Sequence, residues 1–138
     1  MNSRGEIIIV DDDTDDLEIL KEVYSTLPFE NRLVVFNDGE DAYQYLKTPE
    51  AYPFLIISDI NMPKMNGFEL RDKVLSDAEI SNRIIPFVFI STCANRTMMK
   101  TYCSNSFHGY FEKKSDFTEM TEMLDNIIRY WKNAVPAD

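Results

Sequence analysis

Two stretches, "FLIIS" at 54–58 and "PFVFIS" at 86–91, are apolar almost from end to end. A strand with one face in water alternates apolar and polar residues, whereas a continuous apolar run suits a strand buried on both faces of a parallel sheet. "IIIV" at 7–10 and "LVVF" at 33–36 are further apolar runs, and "GYFE" at 109–112 is a fainter one. Between them lie segments of helical spacing. Leu17, Leu20, Val23, Tyr24 and Leu27 make one stripe, and Ala42, Tyr45 and Leu46 a shorter one. Phe117, Met120, Leu124, Ile127 and Trp131 make the clearest, which ends before Pro136. These stripes are read as buried helix faces. Met98, Met99 and Tyr102, on a fourth helical segment, suit either core packing or a partly exposed partner surface. Five strands alternating with five helices predict right-handed crossovers and a parallel sheet covered on both sides.

At 138 residues the chain has the length of one domain, and 44% hydrophobic residues suffice for one core. No run reaches the ~18 uninterrupted apolar residues of a membrane span. "MNSRGE" at the start lacks the apolar region of a secretory signal, so a cytoplasmic location is expected. A net charge of −10 leaves no basic stripe for a phosphate backbone, which points to protein partners instead of direct nucleic-acid or membrane binding. Cys93 and Cys103 lack metal-ligand spacing and are read as free thiols. Asn95-Arg96-Thr97 matches a glycosylation sequon by coincidence in such a chain.

Open α/β sheets gather ligands at the carboxyl ends of their strands, so residues with chemistry should follow the apolar runs. They do: Asp11 and Asp12 follow the first, Ser58-Asp59 ends the third, Ser91-Thr92 follows the fourth, and Lys113-Lys114 follows the fifth. Carboxylates brought together raise one another's pKa values, and a divalent cation relieves that repulsion. Carboxylates, a main-chain carbonyl and waters suit Mg²⁺. A lysine and a hydroxyl alongside suit the oxygens of a transferring phosphoryl group, with one carboxylate as nucleophile.

"IIIVDDD", "LIISDINMPKMNGFEL", "FVFIST" and "HGYFEKK", in this order, resemble the receiver domain of two-component response regulators over essentially the whole chain. The resemblance implies a flavodoxin-like (βα)5 fold, doubly wound, with strand order 2-1-3-4-5. It implies a single receiver domain over 1–138, with a core at about 5–132 and no output domain. It makes Asp59 the phosphoacceptor, Asp12 the main metal ligand and Asp11 its assistant, often through water. Asn61 would offer its main-chain carbonyl to Mg²⁺. Ser91 matches the hydroxyl that moves onto the phosphate, Lys113 the family's lysine, and Tyr110 the aromatic whose rotamer reports the switch. Pro63 and Gly67 would shape the loop after Asp59. Where the family usually has a proline after the lysine, this chain has Lys114. Cys93, two residues after Ser91, falls where family members tune dephosphorylation. "LSDAEISNRIIP" at 75–86 is slightly long and predicts an altered loop away from the site.

The expected function is therefore a signalling switch that takes a phosphoryl group from a phosphohistidine, with no chemistry beyond its own phosphorylation and autodephosphorylation. His108 is the sole histidine, so the donor would be another protein, a sensor histidine kinase or histidine phosphotransfer protein. The downstream target is unspecified, and a monomer or a dimer through the fourth helix, fifth strand and fifth helix both remain open. A pseudo-receiver binding module is one alternative. Another is a haloacid dehalogenase-like phosphatase with Asp11 as nucleophile, although Asp15 stands where that family has Thr or Val and the chain is short for it. An EF-hand reading of Asp11, Asp13, Asp15 and Glu22 fails at the sixth position, where Asp16 replaces glycine. Within the opening acidic run, Asp13 is expected to cap the first helix, with Asp15 and Asp16 in its first turn.

Overall fold

The structure, a computed structural model, describes residues 2–91 and 109–134. The expectations about Thr92, Cys93, the sequon at 95–97, Met98, Met99, Tyr102, Cys103 and His108, and hence the fourth helical segment, fall outside the described residues.

β-branched and aromatic runs form five strands: β1 (Glu6–Val10), β2 (Leu33–Phe36), β3 (Pro53–Asp59), β4 (Phe87–Ser91) and β5 (Gly109–Glu112). All pair in parallel, in the order β2-β1-β3-β4-β5, as expected from the sequence. Every residue of β1, β3 and β4 is buried, which is why those runs do not alternate. The period of two still operates, but it sorts residues between two apolar layers instead of between core and water. Ile7, Ile9, Leu55, Ile57, Val88 and Ile90 face one layer. There they meet Leu17, Leu20 and Val23 of α1 (Thr14–Ser25), and Met120, Leu124, Ile127 and Ile128 of α5 (Phe117–Asn133). Ile8, Val10, Ile56, Phe87 and Phe89 face the other. That layer is closed by Ala42 and Leu46 of α2 (Gly39–Leu46) and by Phe68, Leu70 and Val74 of α3 (Gly67–Ser76).

The stripes read from sequence are these buried faces, with one departure: Phe117, the first residue of α5, is 45% exposed. A first-turn residue can point past the end of the sheet. The long segment before β4 contains a single extra turn, α4 (Ala78–Ser81), capped by Asp77 and anchored by buried Ile80. The Lys113–Lys114 peptide is trans, and no described peptide bond is cis.

Candidate functional site

Parallel pairing brings the carboxyl ends of β1, β3, β4 and β5 to one edge, and the sheet register sets their heights. Val10 lies beside Ser58, Asp59 beside Ile90, and Ser91 beside Glu112. Asp11, Asp59, Ser91 and Lys113 thereby meet although up to 102 residues separate them.

One carboxylate oxygen from each of Asp11, Asp12 and Asp59 lies within 4.8 Å of the others. Asp11 and Asp59 are buried and Asp12 is exposed. Both Asp11 oxygens are engaged: Oδ1 accepts from the Asp13 N–H at 3.0 Å and Oδ2 from Lys113 Nζ at 2.6 Å. Asp59 is held differently. Its Oδ1 accepts from the Ile60 N–H at 2.8 Å, which fixes the carboxylate plane, while Oδ2 faces Lys113 Nζ only at 3.7 Å. Burial first, and then the Asp11 charge, push the Asp59 carboxyl up to about 6. Burial also raises Asp11, against the hydrogen bonds from Lys113 and the Asp13 amide. Burial works against the Lys113 charge, but hydrogen bonds to Asp11 and Asp16 outweigh it, so the ammonium titrates above its ordinary value.

Ser91 is fully buried at the end of β4, and its Oγ accepts from Asn61 Nδ2 at 3.4 Å. Tyr110 is half-buried on β5, beside Phe89, and packs on the apolar layer closed by α2 and α3. In the loop after Asp59 the left-handed residue is Lys64, at φ 66°. Gly67 is required for space: a Cβ there would stand 2.3 Å from the Asp59 carbonyl oxygen. The Gly67 N–H donates to the Ile60 carbonyl at 2.8 Å, and Asn66 and Glu69 close a capping box that starts α3 directly behind the site.

Asp13 caps α1 as expected, its Oδ1 accepting from the Asp15 and Asp16 amides at 2.9 and 3.2 Å. Asp16 does more than sit in a first turn. Its Oδ2 accepts from Lys113 Nζ at 2.8 Å, so the lysine is shared by three carboxylates. Only the first-turn position of Asp16 is legible in the sequence; its pairing with a lysine 97 residues away is not.

A doubly wound parallel sheet with a carboxylate cluster, an ammonium and a hydroxyl at its carboxyl edge defines a domain built for hard cations and phosphoryl oxygens. The family model for the response regulator receiver domain matches residues 7–125, and the chain belongs to this family, the phosphorylation-dependent switches of two-component signalling. It is 25% identical to response regulator Rcp1 of Synechocystis sp. over 97% of this chain and 93% of that one. With chemotaxis protein CheY-3 of Vibrio cholerae it shares 29% identity over 93% of this chain and 95% of that one. Among solved structures, the phosphorylated cyanobacterial phytochrome response regulator RcpA superposes with a TM-score of 0.83 at 23% identity, covering 96% of this chain and 97% of that one. The Mn²⁺-bound form of Rcp1 gives 0.80 at 23% identity, covering 97% and 99%. Receiver domains receive their signal from histidine kinases or phosphotransfer proteins and pass it to downstream targets. Among the described residues no helix is long and apolar enough to cross a membrane.

Proposed function

We propose that this chain accepts a phosphoryl group from a phosphohistidine of another protein onto Asp59 Oδ2. One observation carries the choice of nucleophile: in the cluster, both Asp11 oxygens are committed to hydrogen bonds, whereas Asp59 Oδ2 has only the distant Lys113 among the described residues. That contrast also argues against Asp11 as a phosphatase nucleophile. Oδ2 attacks phosphorus in line, the P–O bond forms as the P–N bond breaks, and the histidine nitrogen leaves with the bonding pair. Lys113, with burial that excludes water, stabilises the oxygens of the transferring group.

The donor set fits Mg²⁺. Three carboxylates converge, Lys113 faces only Asp11 and Asp59 among them, and burial together with like charge raises those two, the electrostatic condition that a divalent ion relieves. Asp11, Asp12 and Asp59 would hold it, with the Asn61 main-chain carbonyl. When bound, the ion neutralises charge on the carboxylates and phosphoryl oxygens. That the related Rcp1 has a Mn²⁺-bound form supports this reading.

The acyl phosphate adds about −1.5 to −2 charge and new acceptor oxygens at the sheet edge. Ser91 and Lys113 then turn to these oxygens, and Tyr110 rotates inward beside β4. The face that includes β5 and α5 changes shape and selects the target, with or without pairing of two copies. A near-complete switch takes about 5.5 kcal/mol of differential stabilisation. The chain catalyses only its own phosphorylation and dephosphorylation, and its place is the cytoplasm, where kinase domains present phosphohistidine. Intact-mass measurement after incubation with Mg²⁺ and a small acyl phosphate tests the nucleophile: the wild type gains one phosphoryl group and Asp59→Asn gains none. A gain that survives the substitution overturns Asp59 as acceptor, and no gain in the wild type makes the chain a pseudo-receiver.

A further inference from the structure

Lys113 offers three N–H donors, and in this state two of them are spent on Asp11 at 2.6 Å and Asp16 at 2.8 Å, while Asp59 stands off at 3.7 Å. We infer that Asp16 is a positioning residue that parks the Lys113 ammonium away from Asp59 and surrenders it when an anionic group forms there. The inference rests on the receiver reading and adds to it a residue that sets how strongly the site holds a phosphoryl group.

The two short partners are not equivalent. The Asp11 side chain is 2% exposed, and stripping it of Lys113 would leave a buried carboxylate oxygen without its hydrogen-bond donor and out of reach of replacing water. The Asp16 side chain is 32% exposed, so water replaces the lysine at small cost. A new anion on Asp59 therefore draws Lys113 from Asp16 and leaves Asp11 in place. Local structure allows the exchange. Asp16 sits in the first turn of α1, its main chain pinned by the Asp13 cap, so only its side chain has to move. Beside it, a cavity of about 350 Å³ lined in part by Ile19, Lys113, Lys114 and Phe117 gives the released carboxylate room and solvent. Asp15 is the internal comparison: same charge, same turn, exposed, and without an ion pair to Lys113 among the described residues.

Every unit of free energy that ties Lys113 to Asp16 before phosphorylation opposes the phosphorylated state, so removing Asp16 should strengthen that state. The test is the affinity of the Mg²⁺-loaded protein for beryllofluoride, a phosphoryl mimic, with melting temperatures as a check on folding. Asp16→Asn is expected to bind beryllofluoride roughly fivefold more tightly than the wild type, the scale of a partly exposed ion pair. Asp15→Asn should stay within about twofold of the wild type, since an exposed charge change is screened. Equal or weaker binding by Asp16→Asn overturns the proposal, and so does an equal gain in Asp15→Asn, which would make the effect one of bulk charge. If the wild type with Mg²⁺ binds no beryllofluoride, the receiver reading itself falls and this inference with it.

Discussion

At the scale of single residues, the site is a balance of charges that its neighbours do not fully compensate. Asp59 titrates near 6 in the metal-free protein instead of at the ordinary 3.8, so the folded chain binds that proton more tightly than the unfolded one. Its contribution to stability therefore falls as pH rises from about 4 through about 6. Thermal melts in chelator should show metal-free Asp59→Asn melting above the wild type at about pH 7.5, with the gap closing by about pH 4. A gap independent of pH would mean that Asp59 carries no such burden. Gly67→Ala should be severe: the new Cβ meets the Asp59 carbonyl at 2.3 Å, so main chain has to shift at Asp59, the proposed acceptor. Denaturant unfolding should register a loss of about 1–3 kcal/mol, and phosphoryl incorporation should slow at least tenfold. The apolar runs placed Asp11, Asp12, Asp59, Ser91 and Lys113 at one sheet edge, and it was the ordered motifs of the family resemblance that gave Ser91 and Lys113 their expected roles. They did not reveal the Asp16–Lys113 pair, which depends on where a helix turn sits over a strand end. Nor did they reveal Arg71, 1% exposed with its guanidinium over the rings of Phe68 and Phe89, since nothing in a linear pattern marks a charged residue as interior.

At the scale of elements, the acidic run after β1 divides into separate tasks that substitution can tell apart. Asp13 accepts from two amides of α1 and holds no part of the carboxylate cluster. Asp13→Ala should therefore cost about 1 kcal/mol in denaturant unfolding while the rate of phosphorylation by a small acyl phosphate stays within about twofold. A large loss of rate with unchanged stability would move Asp13 into the site. β1, β3 and β4 were legible to within a residue or so because double burial writes itself as an unbroken apolar run, whereas β2 and β5, only partly buried, were marked by their short β-branched and aromatic runs. The helix stripes were legible because one buried face recurs at three-and-four spacing, and among the described residues they failed at Phe117, an exposed first-turn residue of α5. α4 was visible merely as excess length, since a single turn is too short to show a period.

For the whole molecule, the strand order followed from the alternation of elements once the motifs pointed to the family, since composition and periodicity alone leave the order of five parallel strands open. Asp11 and Asp12 directly follow β1 and Asp59 ends β3, so an ion held by all three ties the sheet centre together and stabilises only the folded chain. Mg²⁺ at a hundredfold over its dissociation constant should add about 2.7 kcal/mol, read as a rise in melting temperature that chelator reverses and Asp59→Asn diminishes. No rise in the wild type would leave the cluster without a cation role. At the opposite end of the strands, Lys132 near the end of α5 donates to the Ser3 carbonyl at 2.9 Å, ahead of β1. Residues 129 positions apart are thus within one bond of each other, on the floor of the domain, with the phosphoryl chemistry at its roof. A short peptide could join that floor into a ring and the α4 turn could be cut open, giving a circularly permuted receiver whose new ends carry a reporter at a distance from Asp59.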